Sequence, residues 1–269
     1  MSLRRKLFSF IKREVKMMIT YKSAMFFNYM NMVMNLAIFF FFASMFGIEN
    51  LEALEGYGGD VISFVVLGSM GWTFLWTIMD SASNSMMQEM KIGTFEVILL
   101  TPTSPVFVVI AYTVWGILMS SVGIILVLVT SIIVFDVVIN ANYILTFLVL
   151  FICIVMMSGF GLMVGGLNVY VKQVGAIVSV IQRISYFLCG VVFPISVLPQ
   201  LLQPISTYLP FYHALHTLRL TLSVNPSLEI IVPQVLLLTI LAAGSMLVGV
   251  FTFKMGLKKA RKEGTLAFY

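Results

Sequence analysis

Gln88–Pro105 reads QEMKIGTFEVILLTPTSP, the one longer stretch of mixed polar and apolar residues set between long apolar runs. Glu89, Lys91 and Glu96 charge it, while Phe95, Val97, Ile98, Leu99 and Leu100 give it an apolar side. Pro102 and Pro105 lack the N–H that a continuing helix needs, so the Thr101-Pro102 step stops the segment and the chain re-enters sharply. The pattern predicts a short amphipathic helix, residues 86–101, lying at a membrane face. An ordinary intracellular loop is the alternative, but five apolar side chains beside water are better explained by a partner's groove.

The flanking runs set the class. The chain is 60% hydrophobic and 10% charged, with a mean hydropathy of +1.05, far outside the range of soluble domains. Apolar runs of about twenty residues, enough to cross about 30 Å of hydrocarbon, recur without the alternation of a barrel. The expectation is an all-α, polytopic membrane protein with six transmembrane helices. Cys153 and Cys189 lie inside apolar runs with no metal or redox spacing and read as buried small hydrophobes. The formal net charge of +5 is gathered at the chain ends, which points to membrane orientation and not to nucleic acid.

Along the chain, Leu3, Leu7, Ile11, Val15 and Met18 recur at helical spacing among Arg4, Arg5, Lys6, Lys12, Arg13 and Lys16. Residues 1–23 are therefore expected to form an interfacial helix on anionic lipid at the cytoplasmic leaflet. Glu14 interrupts the stripe, and a solvated basic tail is the alternative. The following run is too long for a signal-peptide core, so the segment is expected to be retained. Spans are expected at 24–47, 61–80, 104–135, 143–167, 174–193 and 228–253, with a tail at 254–269. Asn28, Asn31 and Asn35 share a face of the first, as packing contacts or as pathway lining. Gly161 and Gly165, with Gly159 and Gly166, allow close backbone approach in the fourth.

The fifth span carries Arg183 near its middle. An arginine at that depth costs about 2.5 kcal/mol or more on insertion, so it faces a cavity, a subunit interface or an ion-pair partner such as Asp80. Between residues 194 and 224, Pro194, Pro199, Pro204 and Pro210 forbid a continuous spanning helix, yet the segment is too apolar for a free loop. A re-entrant helical hairpin between the fifth and sixth spans answers both constraints. His213 and His216 are three apart, but no further ligands with suitable spacing make a metal site.

Charge orients the whole. With the N-terminus inside, fourteen of the sixteen Lys/Arg fall on cytoplasmic segments, and the two left over are Arg183 and Arg219. Both termini are expected in the cytoplasm.

Two stretches resemble one family. Glu89, Gly93, Thr94, Phe95, Glu96 and Leu99 to Pro102, with Thr101 inside that run, resemble the coupling-helix segment of ABC-2 type transporter permeases. Cys189–Pro194 (CGVVFP), Leu198-Pro199, Tyr208–Leu215 (YLPFYHAL) and Leu218-Arg219 resemble the segment after the fifth helix of the same permeases, especially the drug-efflux and lipo-oligosaccharide branch. Cys189 stands where serine is frequent. The resemblance implies a permease that pairs with a second copy or a homologous permease and with two cytoplasmic ATPase subunits. It also implies a multi-pass protein of the plasma membrane that exports an amphipathic or hydrophobic substrate (drug, lipid, peptide or glycolipid).

No Gly-x-x-x-x-Gly-Lys-Ser/Thr loop occurs in the chain, so no cofactor is expected in it and ATP and Mg would sit on the ATPase. The coupling role falls to Glu89, Gly93, Thr94, Phe95, Glu96, Leu99, Thr101 and Pro102. Arg183, Phe187 and Phe193 are expected on the pathway or interface, and Gly190, Pro194, Pro199, Pro210, His213 and Arg219 in an outer gate. A self-contained channel or secondary carrier is the alternative, but it would want carboxylates deep in the spans or paired broken helices. A membrane-embedded enzyme would want a clustered catalytic arrangement.

Overall fold

The computed structural model describes residues 3–20, 22–45, 54, 57, 60–101, 103–135, 141–171, 174–223 and 227–263. Among them are ten α-helices: α1 (Leu3–Thr20), α2 (Lys22–Met45), α3 (Val61–Ile92), α4 (Phe95–Leu100), α5 (Pro105–Phe135), α6 (Tyr143–Val171), α7 (Gly175–Leu188), α8 (Gln203–Tyr208), α9 (Pro210–Ser223) and α10 (Leu228–Glu263). Within α3, α5, α6 and α10 lie four stretches long and apolar enough to cross a membrane: Val61–Ser85, Pro105–Val134, Tyr143–Val169 and Leu228–Ala260. The protein is an all-α, polytopic membrane protein.

One boundary differs instructively from expectation. A span ending at residue 80 and a separate helix over 86–101 are replaced by a single helix that runs through to Ile92. The polar run does not break it because its side chains bond back into the same helix. Asn84 Nδ2 donates to Asp80 Oδ1 at 2.7 Å, Ser83 Oγ to the Asp80 carbonyl at 3.0 Å, and Ser85 Oγ to the Ala82 carbonyl at 2.8 Å. Asp80 therefore sits inside a spanning stretch instead of closing it. The helix stops only at Gly93, whose φ of +77° supplies the left-handed cap.

α6 is the middle of the bundle. On one side Gly159 and Gly166 meet Gly249 and Gly256 of α10 so closely that a Cβ on either α10 glycine would stand 2.2 Å from a carbonyl oxygen of α6. On another side Gly161 and Gly165 abut Met79, Ala82 and Ser83 of α3. Lipid offers no hydrophobic drive between helices, so such backbone approach and its dispersion contacts hold the seams together. Ser245 Oγ adds a bond to the Met156 carbonyl at 3.1 Å. Overpacking the seam is costly: Gly249→Ala is expected to destabilise by about 2 kcal/mol. Gly244→Ala, whose Cβ meets nothing within 4 Å, should change stability little. Denaturation midpoints in detergent compare the two.

The proline-rich segment makes a turn at Ile195–Val197 and then α8 and α9. At about 1.5 Å per residue, neither helix is long enough to cross a bilayer. α9 is not peripheral. Phe211, Ala214, Leu215 and Leu218 join Trp72, Leu75 and Ile78 of α3 and Met156 and Met157 of α6 in the largest buried apolar cluster.

Candidate functional site

At the Gly93 end of α3, Glu89 is fully buried and is the hub of a polar cluster drawn from three helices. Arg13 of α1 donates from Nη2 to Glu89 Oε1 at 2.7 Å, and Tyr112 of α5 donates its hydroxyl to the same oxygen at 2.9 Å. Thr94 closes the set by donating from Oγ1 to Glu89 Oε2. Arg13 is also braced by Glu14, with contacts of 2.8 and 3.0 Å to its Oε1, and by the Phe10 ring 4.6 Å below its guanidinium. Phe10 in turn meets Tyr112 edge-on at 4.8 Å.

The electrostatics follow from these contacts. Burial alone would raise the Glu89 carboxyl, but hydrogen bonds from Arg13, Thr94 and Tyr112 and the Arg13 charge hold it below the usual carboxylate range. Burial alone would lower Arg13, yet its bonds to Glu89 and Glu14 carry it above its ordinary value. The buried cluster is thus an ionised one, and it is geometrically demanding.

This hub lies beside α4. Lys6 of α1 donates to Thr103 Oγ1 at 3.0 Å on the far side of α4, so α1 is fastened to the chain both before and after that helix. Val97 and Leu100 of α4 stay 61% and 89% exposed, a bare apolar edge on a six-residue helix. Of the expected coupling residues, Glu89 and Thr94 meet directly and Gly93 caps α3 beside them. Thr101 bonds to the Ile98 carbonyl. Phe95, Glu96 and Leu99 belong to α4, but their side chains lie outside the described residues, as does Pro102 altogether. Arg13 and Tyr112 were not singled out from sequence. The available signal was a basic residue next to an acid in α1 and a phenol eight positions into a span.

At the opposite end, Arg219 of α9 is 3% exposed. Its Nη1 donates to the Gly190 carbonyl at 2.6 Å, and its Nη2 donates to the carbonyls of Val191 at 2.6 Å and Phe64 at 3.2 Å. The guanidinium also stacks 3.5 Å from the Phe64 ring centre. Gly190, with φ of +70°, turns the chain there, and Gly68 leaves the room: a Cβ on it would stand 1.7 Å from Arg219 Nη2. Arg219 is thus a staple between α3, α9 and the turn after α7. His213 bonds the Thr207 carbonyl at 2.8 Å, and His216 meets Tyr57. Pro194 caps the Ile195–Val197 turn, Pro199 accepts from the Leu202 N–H at 2.8 Å, and Pro210 opens α9.

Of the three expected pathway residues, Phe187 and Phe193 form an edge-on pair at 5.1 Å. Arg183 is exposed on α7 and makes no ion pair with Asp80 of the same chain.

No curated protein matches the chain. A family model described as "ABC-2 type transporter" matches residues 5–223, from α1 through α9, and so takes in both the Glu89 hub and the Arg219 staple. The chain belongs to the ABC-2 type transporter family.

Proposed function

We propose that this protein is the membrane subunit of an ATP-driven exporter, working with two cytoplasmic ATPase subunits and a second permease copy in the plasma membrane. In this reading α2 fills the first of six spans and α7, only 14 residues long, fills the fifth together with the turn that carries the chain on to Phe193; both termini are cytoplasmic, and α8 and α9 form a re-entrant element below the outer surface. The carrying observation is the Glu89 hub, which ties α1, α3 and α5 together beside an exposed apolar α4. Such an edge suits a groove on a soluble partner. A push on α4 would reach α3 and α5 through Glu89 and Tyr112, and α1 through Arg13 and Lys6. The cargo would be an amphipathic or hydrophobic molecule of the drug, lipid, peptide or glycolipid kind.

The test is co-purification in detergent with candidate ATPase subunits, followed by vanadate-sensitive ATP hydrolysis. A Phe95→Ala/Glu96→Ala double variant is expected to lose the complex or its stimulated hydrolysis by tenfold or more. A chain that purifies alone and conducts or exchanges solute in liposomes without nucleotide would support a channel or carrier instead.

A further inference from the structure

Among the described residues, neither Asp80 nor Arg183 has an ionic partner within its own chain. Asp80 is exposed on α3, five residues before the end of the Val61–Ser85 stretch, and its recorded side-chain bond is with the neutral Asn84 amide. Arg183 is exposed on α7, where Ile177, Val180, Ile181, Ile184 and Phe187 are exposed with it. An ionised side chain held toward hydrocarbon is strongly disfavoured. A surface carrying both signs is therefore incomplete in a single protomer.

The helices that carry them adjoin at Trp72 and Tyr186 and together make one wall of the bundle. α6 runs beside α3 with Gly161 against Met79 and Ala82 and Gly165 against Ser83, after which α7 returns and sets Tyr186 5.7 Å from Trp72. α7 is therefore antiparallel to α3. Below the Trp72–Tyr186 contact, Asp80 is eight residues down α3, about 12 Å, and Arg183 is three residues down α7, about 5 Å. A long arginine side chain that snorkels toward the cytoplasmic end closes most of that difference.

We propose that two copies of this chain meet on this wall and that Arg183 of each pairs with the partner's Asp80. A two-fold interface brings residue i against j and j against i, so one cation and one anion on adjoining helices, their difference in depth spanned by the arginine's reach, satisfy each other twice. The apolar face of α7 is covered in the same step. This deepens the paired-permease reading above and rests on it, but it involves neither nucleotide nor the ATPase.

Two differently tagged copies are co-expressed, and capture of one by the other is measured from membranes. Arg183→Asp alone and Asp80→Arg alone should each lower co-capture at least tenfold, and the two changes joined in one chain should restore it to within twofold of the parent. Arg183→Lys, which keeps the charge, should stay within twofold. In the cross-linking arm, Asp80→Cys in one tagged copy and Arg183→Cys in the other are treated with a short bis-maleimide. The doubly tagged product should exceed that from either cysteine paired with an unmodified copy at least tenfold, since Cys153 and Cys189 are buried. Absence of co-capture, co-capture indifferent to the single reversals, failure of the swap, or loss on Arg183→Lys would each overturn the proposal. If any of these occurs while the chain still assembles an active ATPase complex, the pair is rejected and the exporter reading stands.

Discussion

Glu89→Ala is expected to destabilise the protein by about 3 kcal/mol and to cut ATPase-coupled turnover at least tenfold. Breaking a buried ion pair by removing one partner costs about 3–5 kcal/mol because the other charge is stranded. The lower end applies because Arg13 keeps 39% side-chain exposure and is partly screened by water. Glu89→Gln separates charge from shape. The Glu89 carboxyl is held below its ordinary range when folded, so its contribution is fully present above the unfolded carboxylate value and is lost as pH falls through the lower folded value. Denaturation midpoints of the parent should therefore fall at acid pH, while Glu89→Gln, with nothing to titrate at that position, should start lower and follow a flatter profile. A parent and variant with parallel profiles would remove the ionised hub from the account.

Arg219→Ala should have the largest effect, about 4 kcal/mol. The change strands carbonyls of Gly190, Val191 and Phe64, each costing about 1–3 kcal/mol when buried without a donor, and the desolvation cost of the arginine itself offsets part of the total. Gly68→Ala attacks the same staple from the other side, since its new Cβ collides with Nη2. The double variant should therefore be little worse than Arg219→Ala alone. Maleimide labelling gives a local readout: Cys189, beside the turn and 1% exposed, should become reactive in both variants. Cys153, fully buried in α6, should not. Equal protection of Cys189 in parent and variants would show that the turn stands without Arg219.

The helical membrane class was legible because span length and apolar composition are local properties. The break at Gly93 was not, because the expected helix over 86–101 ran through it, whereas the left-handed cap divides that stretch between α3 and α4. The hub was not, because Glu89 finds Arg13 76 positions away and Tyr112 23 positions away, and no periodicity reports such a meeting. Asp80 to Ser85 read as a helix end because short polar side chains usually compete with helical bonding, whereas here they bond along the helix itself. Arg219 read as a gate residue from its place in the proline-rich stretch. The cavity that Gly68 leaves for it on α3, 151 positions earlier (219 − 68), appears only once the helices are assembled.

The α6–α10 seam has a consequence for how the protein is made. Gly159 meets Gly249, so the middle helix waits for ninety further residues (249 − 159) to be synthesised before its groove is filled. Until then the partly built bundle holds α6 by α3 and α9, with its glycine channel turned toward lipid. The order of synthesis thus leaves the closing of the bundle to α10, and a chain halted before Gly249 would reach the bilayer with its central helix half-clasped, the state in which membrane quality control would meet it.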